Sequence, residues 1–480
     1  MKVTLAGFNV DVEVLERLNS EGKEILTPET FSAAYARISR SKDDVAILRR
    51  RSCSDVASAR RSNRRIVFDM GHHSVAEHAV FNFDVSGISR LALEMLEKFR
   101  LVSFTEKSQR YVLIDGPVVI PDEISAAEDR LLFKQIAAAQ FAAYQKGLTC
   151  IREYLQQEGG STLSTNQLEE RAKEDARYFL PLASEAQLGM TINARNLEHL
   201  LRRFQEHELA EIRELGRLFL EQSASLAPSI VLFTAPSAFD RNIGRILFMD
   251  TECQVPVKDS SWSERIISCP AGGDDLILAG LAFTRHGCDF SSARASLNVA
   301  EKKRIYLELF REMEFYDRPP REFELVEVVF EAVVSASCFA QLKRHRMATL
   351  LVSDYEPRLG NTMPEIFSAA GIEEDFHRLV ARCNEAYDRL RERYCRAAVY
   401  QLSNSHRRRV LVKMNLREIY HFSRLREDEH AQWEIRRLAA WLSAETRNRL
   451  PLAGMMLGGK SDFQELRSRL AGKLPRNRGG

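Results

Sequence analysis

Four hundred and eighty residues exceed what one hydrophobic core organises, and at roughly 150 residues per domain the chain holds two or three. Hydrophobic residues at 45% and charged residues at 28% exclude disorder as the main state, because so much apolar matter must be buried. Lys plus Arg number 69 against 67 Asp plus Glu, a net charge of +2, which argues against a dedicated nucleic-acid binder with its basic stripe.

The opening MKVTLAGFNVDVEV alternates apolar and polar residues and lacks the basic flank and apolar core of a secretory signal. No apolar run reaches the roughly 20 residues that a spanning helix needs. The eight cysteines include no C-x-x-C pair, so a zinc ribbon is not expected, and scattered thiols fit a reducing compartment. A cytoplasmic protein without membrane association is therefore expected. EHAVFNFDV (77–85) alternates as a half-buried strand should, and a helical run continues to Arg100. Residues 126–158 have helical period and strong helix formers. After the loop GGSTLSTNQ comes a second helical pattern, EERAKEDARYFLP, stopped at Pro181. Residues 193–222 are predicted helical again. Composition then shifts at SASLAPSIVLFTAPSAF, and 226–275 is predicted to be an irregular linker between domains at 1–225 and 276–480.

The second half repeats the order of the first. EFELVEVVFEAVV (322–334) is a strand and SASCFAQLKRHR (335–346) the run after it. NARNLEHLLRRF (193–204) has a counterpart in NLREIYHFSRLR (415–426), and LAEIREL (209–215) in AQWEIRRL (431–438). Two units of similar order indicate a duplicated domain, free to diverge copy by copy.

Several clusters could carry chemistry. Arg344-His345-Arg346 concentrates positive charge at a helix-to-loop transition, where a diphosphate could be gripped; alone it is more often a solvated basic turn. FTEKSQRYV (104–112) gathers Glu106, Ser108, Gln109 and Arg110, offering a hydroxyl and a guanidinium to a phosphate and a carboxylate to a sugar or base; alone it is an ordinary polar loop. GHHSVAEH (71–78) has nitrogen and oxygen donors for a metal, but adjacent His72 and His73 would diverge on a strand and no metal is expected. Asn193 and Asn415 each open a helical run as N-caps.

Taken together, these segments resemble the flavin-dependent thymidylate synthases, the ThyX family. That family carries H-x-S/T-x-x-E-H, a strand, Q-x-x-R-H-R and a Ser followed by x-R-Y. Further on come an Arg before Leu-Pro, N-x-R, an Asn or His four residues on, L-R, and A-Q-x-E-I-R. The resemblance covers roughly 30–225 and 280–455, and neither copy is complete. The first reads Met95 and Lys98-Phe99-Arg100 at the Gln and R-H-R positions, and Phe204 at the L-R arginine, with Arg202 or Arg203 one slip away. It keeps Glu106, Ser108, Arg110 and Arg177. The second keeps Gln341, Arg344, His345, Arg346 and Arg426, but reads Val352-Ser353-Asp354-Tyr355-Glu356 at the loop, Val399 for Arg177, and Pro319-Pro320-Arg321 for H-x-S/T.

The resemblance implies two α+β domains, each a small, mainly antiparallel sheet with packed helices, forming a pseudo-dimer within the chain; a homodimer would make a four-domain assembly. It implies methylation of dUMP at uracil C5, with FAD as cofactor and NADPH and methylene-tetrahydrofolate as co-substrates. Arg426 would stabilise charge on the uracil ring. Gln341, Arg344, Glu106, Ser108, Gln109, Arg110 and Arg177 would hold the nucleotide. Arg344, His345, Arg346, Ser74, Glu106, Asn193, Arg195, His199, Asn415, Arg417 and His421 are the flavin candidates. In that family one subunit gives the Glu-Ser-Arg loop and its neighbour the Gln and arginines, so one composite site per chain is expected, its reciprocal being vestigial. The alternatives are methylation of UMP or another uridine nucleotide, and a non-catalytic flavin- or nucleotide-binding relative.

Overall fold

The computed structural model describes residues 1–21, 26–158, 164–248, 264–294 and 298–471. The middle of the expected linker, the first part of the GGSTLSTNQ loop and the last nine residues lie outside them. The chain separates into two compact units, Met1–Pro256 with Met363–Asn404, and Val257–Thr362 with Ser405–Gly480.

Each unit is built on a four-stranded antiparallel sheet. In the first, β1 (Lys2–Phe8), β2 (Val80–Ser89), β3 (Val102–Glu106) and β4 (Glu185–Asn193) lie in the order β1-β2-β4-β3. In the second, β5 (Arg265–Ser268), β6 (Glu327–Ser335), β7 (Thr349–Val352) and β8 (Arg407–Asn415) repeat that order as β5-β6-β8-β7. The sheets form because each central strand alternates. Phe81, Phe83 and Val85 are buried on β2, with exposed Asn82 and Asp84 between them; Val328, Phe330, Ala332 and Val334 play the same part on β6. On the second sheet, Ile419 and Tyr420 of the helix Leu416–Arg426 and Ile435, Leu438 and Leu442 of the helix Trp433–Arg449 join one core. In the first unit Phe219, from the helix Ala210–Ser223, stands edge-on to Phe83 at 5.0 Å.

The strands start later than the alternation suggested, because His73–His78 and Arg321–Leu325 are 3-10 turns leading into them. β2 also runs four residues further than expected, through a bulge at Gly87. The expected helical stretch 193–222 is two helices, Ala194–Gln205 and Ala210–Ser223. The break lies at 206–209, where the Leu209 N–H is taken by His207 Nδ1 rather than by a helical carbonyl. Within 226–275, expected to be irregular, stand the helix Ala238–Phe248 and β5.

Residues 363–404 follow the second copy's order in sequence yet belong to the first unit. Their helix Glu373–Tyr394 lies with the helix Ala127–Glu158, and Arg393 and the Tyr394 hydroxyl reach buried Asp129 at 2.6 and 2.8 Å. Beyond the helix the backbones cross antiparallel. Leu182 N–H donates to Leu402 O and Asn404 N–H to Leu180 O, both at 2.8 Å, and Pro181 pairs with Ser403. These segments hold equivalent places in the two copies, each just before β4 or β8. Phe179 stacks on Phe367 at 4.8 Å and 8°. A double-mutant cycle on Phe179→Ala and Phe367→Ala is expected to give a coupling of about 0.5–1.5 kcal/mol in urea unfolding, although 188 residues separate the two in sequence; additive losses would show the stack carries nothing.

Candidate functional site

The capping asparagines set the register of both copies. Asn193 closes β4 and accepts from Asn196 N–H at 2.9 Å; Asn415 closes β8 and accepts from Glu418 N–H at 2.8 Å. No slip separates the two helices that follow, so Phe204 stands where Arg426 does, eleven residues on. Arg202 and Arg203 are turned to other partners, the Phe233 carbonyl and His199. Strand register aligns the loops too. Ser103 opposes Thr191 and Thr349 opposes Lys413, which sets Glu106, Ser108 and Arg110 against Val352, Asp354 and Glu356.

In the second unit the retained residues meet. Arg426 Nε donates to His345 Nε2 at 3.0 Å, and its two terminal nitrogens donate to Gln341 Oε1 at 3.1 Å and to the Gln341 carbonyl at 3.2 Å. His345 is buried, and burial, with Arg426 beside it, pushes its imidazole toward the neutral form despite Glu418. Arg344 and Arg346 are exposed on either side. His421 is 5.7 Å from the His345 ring and is also pushed down by burial. The helix carrying Gln341, Ala336–Leu342, starts at Ser335, whose hydroxyl accepts from Cys338 N–H. Buried Glu434 in turn accepts from the Ser335 N–H and hydroxyl.

The first unit keeps that scaffold and changes its contents. Glu211 accepts from the Ser89 N–H and hydroxyl at 2.7 Å, and burial pushes its carboxyl up. Where the polar cluster stood, Met95, Phe99 and Phe204 now line a cavity of ≈ 820 Å³ with His199 and Arg203. Phe99 meets Phe204 edge-on at 5.8 Å and His199 at 5.6 Å.

The loop clusters show the reverse. Arg110 pairs with Glu174, whose carbonyl accepts from Arg177 Nε at 3.1 Å. Arg110 N–H donates to Ser108 Oγ at 3.2 Å. Asn404 Nδ2 bonds both Gln109 Oε1, at 2.9 Å, and the Arg177 carbonyl, at 3.0 Å. Arg177 is buried, and its Nη2 has no hydrogen-bond partner among the described residues. Burial pulls its guanidinium below the usual arginine range, and Arg110 and Arg90 add to this. In the second unit the loop carries Asp354 and Glu356 instead. Arg408 lies there between Phe339 and Tyr355, 4.8 and 4.2 Å from their ring centres, with Nε on the Ser353 carbonyl at 2.8 Å. Its counterpart on β4 is Ala186.

The remaining flavin candidates divide by copy. Arg195 pairs with Glu77, and Arg417 with Glu324 at 3.1 Å; Ser74 is exposed in the turn that holds Glu77. Sequence reasoning passed over Glu418, Glu174 and Asn404. Glu418 could have been flagged by its place one turn inside a capped helix, whereas Asn404 has no local signal. No cluster of metal-ligating residues occurs among the described residues, and no described helix is long and apolar enough to cross a membrane.

Two copies of one α+β unit, with retained cationic clusters that differ from copy to copy, define a duplicated and diverged protein. The model of the thymidylate synthase complementing protein family matches residues 23–229 and again 285–452, and the chain belongs to that family as a tandem duplication. The flavin-dependent thymidylate synthase of Geobacter sulfurreducens is 34% identical over 215 residues, covering 44% of this chain and 83% of that protein. A UPF0159 protein of Thermoplasma acidophilum is 23% identical over 439 residues, covering 82% and 87%. The Helicobacter pylori ThyX structure with FAD and dUMP covers 49% of this chain and all of that one, at 19% identity and a TM-score of 0.31.

Restoring the family residue in the first copy should not restore a site. Phe204→Arg puts a cation against Phe99 and Met95 with neither the imidazole nor the amide that Arg426 uses. A loss of about 3–5 kcal/mol in the first unit's unfolding free energy is expected, with flavin content unchanged; a stable variant that gains flavin would refute this.

Proposed function

We propose that the chain is a flavin-dependent thymidylate synthase that methylates dUMP at C5, with one working nucleotide site assembled from a half-site of each copy. The observation that carries this reading is the complementary division. Ser108, Gln109, Arg110 and Arg177 are tied together in one copy, and Gln341, His345 and Arg426 in the other, while each counterpart has been remade. The second copy's loop has reversed its charge to Asp354 and Glu356, and the first copy's cluster has become apolar. A decaying paralogue would not sort its losses this way.

The unpartnered Nη2 of buried Arg177 suits a dianion, because a buried donor without a partner costs about 1–3 kcal/mol unless a ligand supplies one. Arg177, Arg110 and Ser108 hold the phosphate, and Glu106, Gln109, Gln341 and Arg344 bind the rest of the nucleotide. Arg426, held in place by Gln341 and His345, lies against the uracil and stabilises negative charge that develops on its ring. The exposed guanidiniums of Arg344 and Arg346 suit a flavin diphosphate, with His345, His421, Asn415 and Arg417, or Ser74, His199, Asn193 and Arg195 of the other copy, as further contacts. Reduced FAD, when bound, supplies the hydride that completes the methyl group brought by methylene-tetrahydrofolate, with NADPH as reductant. Two chains would supply the four-domain assembly, which a solution mass measurement tests.

The test is dUMP-dependent NADPH oxidation by the yellow, flavin-loaded protein. Arg177→Ala is expected to weaken dUMP binding about ten- to a hundred-fold, roughly 1.5–3 kcal/mol. Val399→Arg should not raise turnover or create a second site, since it adds a cation where the Ser-Arg loop is still lacking. Arg426→Ala should abolish turnover while leaving much of the nucleotide affinity. Equal damage at positions 177 and 399, or near-normal turnover without Arg426, would reverse the assignment of the live half-sites.

A further inference from the structure

The Arg426 contact shows where the proton of His345 resides. Arg426 Nε always carries a hydrogen, so His345 Nε2, 3.0 Å away, must offer a lone pair. The imidazole proton is then on Nδ1, and Nδ1 faces Glu418 Oε1 at 3.3 Å. Both ring nitrogens are thereby engaged within the unit. The opposite tautomer, or the imidazolium, would set an N–H against the Arg426 N–H.

Glu418 is built for this place. It is 8% exposed, and its own N–H is capped by Asn415 at 2.8 Å, which holds it in the first turn of the helix that ends in Arg426. The first copy provides an internal control. Asn196 stands at the Glu418 position, and there the ring is Phe99, with no nitrogen to orient. Asn196 Nδ2 turns back to Asn193 Oδ1 at 2.8 Å. Within one chain, the carboxylate, the imidazole, the amide of Gln341 and the arginine are present together or replaced together.

We propose that Glu418 is a positioning residue: it holds His345 as the Nδ1–H tautomer, so that the Nε2 lone pair and Gln341 together fix the guanidinium of Arg426. His345 thus acts through Arg426 in addition to any contact with a ligand. The groups that face the imidazole are Glu418, His421 and Arg426 from the helix and Gln341 beside Arg426; Lys343, Arg344 and Arg346 flank it in sequence. The consequence for turnover rests on the function proposed above, but the tautomer does not.

Two measurements on the full chain separate these. Nitrogen-15 NMR of labelled histidine, with His345→Gln to assign the signal, should show a neutral His345 protonated at Nδ1 in the wild type and in Glu418→Gln, whose amide oxygen still accepts. In Glu418→Ala the buried Nδ1–H loses its acceptor, and an Nε2–H population, which gives up the Arg426 contact, should appear beside it. In dUMP-dependent turnover, Glu418→Ala should lower kcat roughly ten- to a hundred-fold with little change in the KM for dUMP, and Glu418→Gln should restore most of it. A wild-type His345 protonated at Nε2, or an unchanged tautomer and rate in Glu418→Ala, overturns the proposal. If Glu418→Ala does not fold, the wild-type tautomer and the Glu418→Gln rate decide it. Absence of turnover in the wild type, with the expected tautomer, would count against the function and leave the positioning role standing.

Discussion

The antiparallel pairing of 180–183 with 400–404 is the contact on which the first unit's candidate site depends. It is made by backbone groups, so it tolerates the difference between Pro181 and Ser403, and it places side chains from late in the chain against residues from early in it. Asn404 reaches Gln109 and the Arg177 carbonyl. One residue pair further along, the Tyr400 hydroxyl donates to Glu211 at 2.6 Å, the carboxylate that also holds Ser89. Without 400–404, the Arg177 turn and the start of the helix after β2 would each lose a buried hydrogen-bond partner.

On that shared scaffold the two side-chain clusters diverge. Glu211 and Glu434 do the same work on Ser89 and Ser335, and the sheets have the same order. The difference between Gln341, His345, Arg426 and Met95, Phe99, Phe204 is wholesale for a physical reason. In a buried network each member satisfies another, and removing one leaves a donor or acceptor unpaired at about 1–3 kcal/mol. A half-converted cluster is less stable than either the polar or the apolar version. The same logic explains Arg408, which brings a cation into a loop that has acquired Asp354 and Glu356 and lies between two aromatic rings.

The central strands β2 and β6, the helices at 126–158 and 194–223, the duplication and the two sets of retained residues were legible in the sequence, because they rest on local periodicity, capping asparagines and spacing within one segment. The alternation of Phe81, Phe83 and Val85 specifies a half-buried strand wherever it is packed. The register that aligns Phe204 with Arg426 is nearly local too, since it follows from two Asn caps eleven residues upstream. Only the tertiary structure decided that 363–404 joins the first unit, that Asn404 serves Arg177, and that Glu418 faces His345. Each of these joins residues dozens to hundreds of positions apart, through contacts whose energy depends on burial and geometry rather than on neighbours in the chain. A lone buried carboxylate or amide carries no sequence signal of the partner that satisfies it.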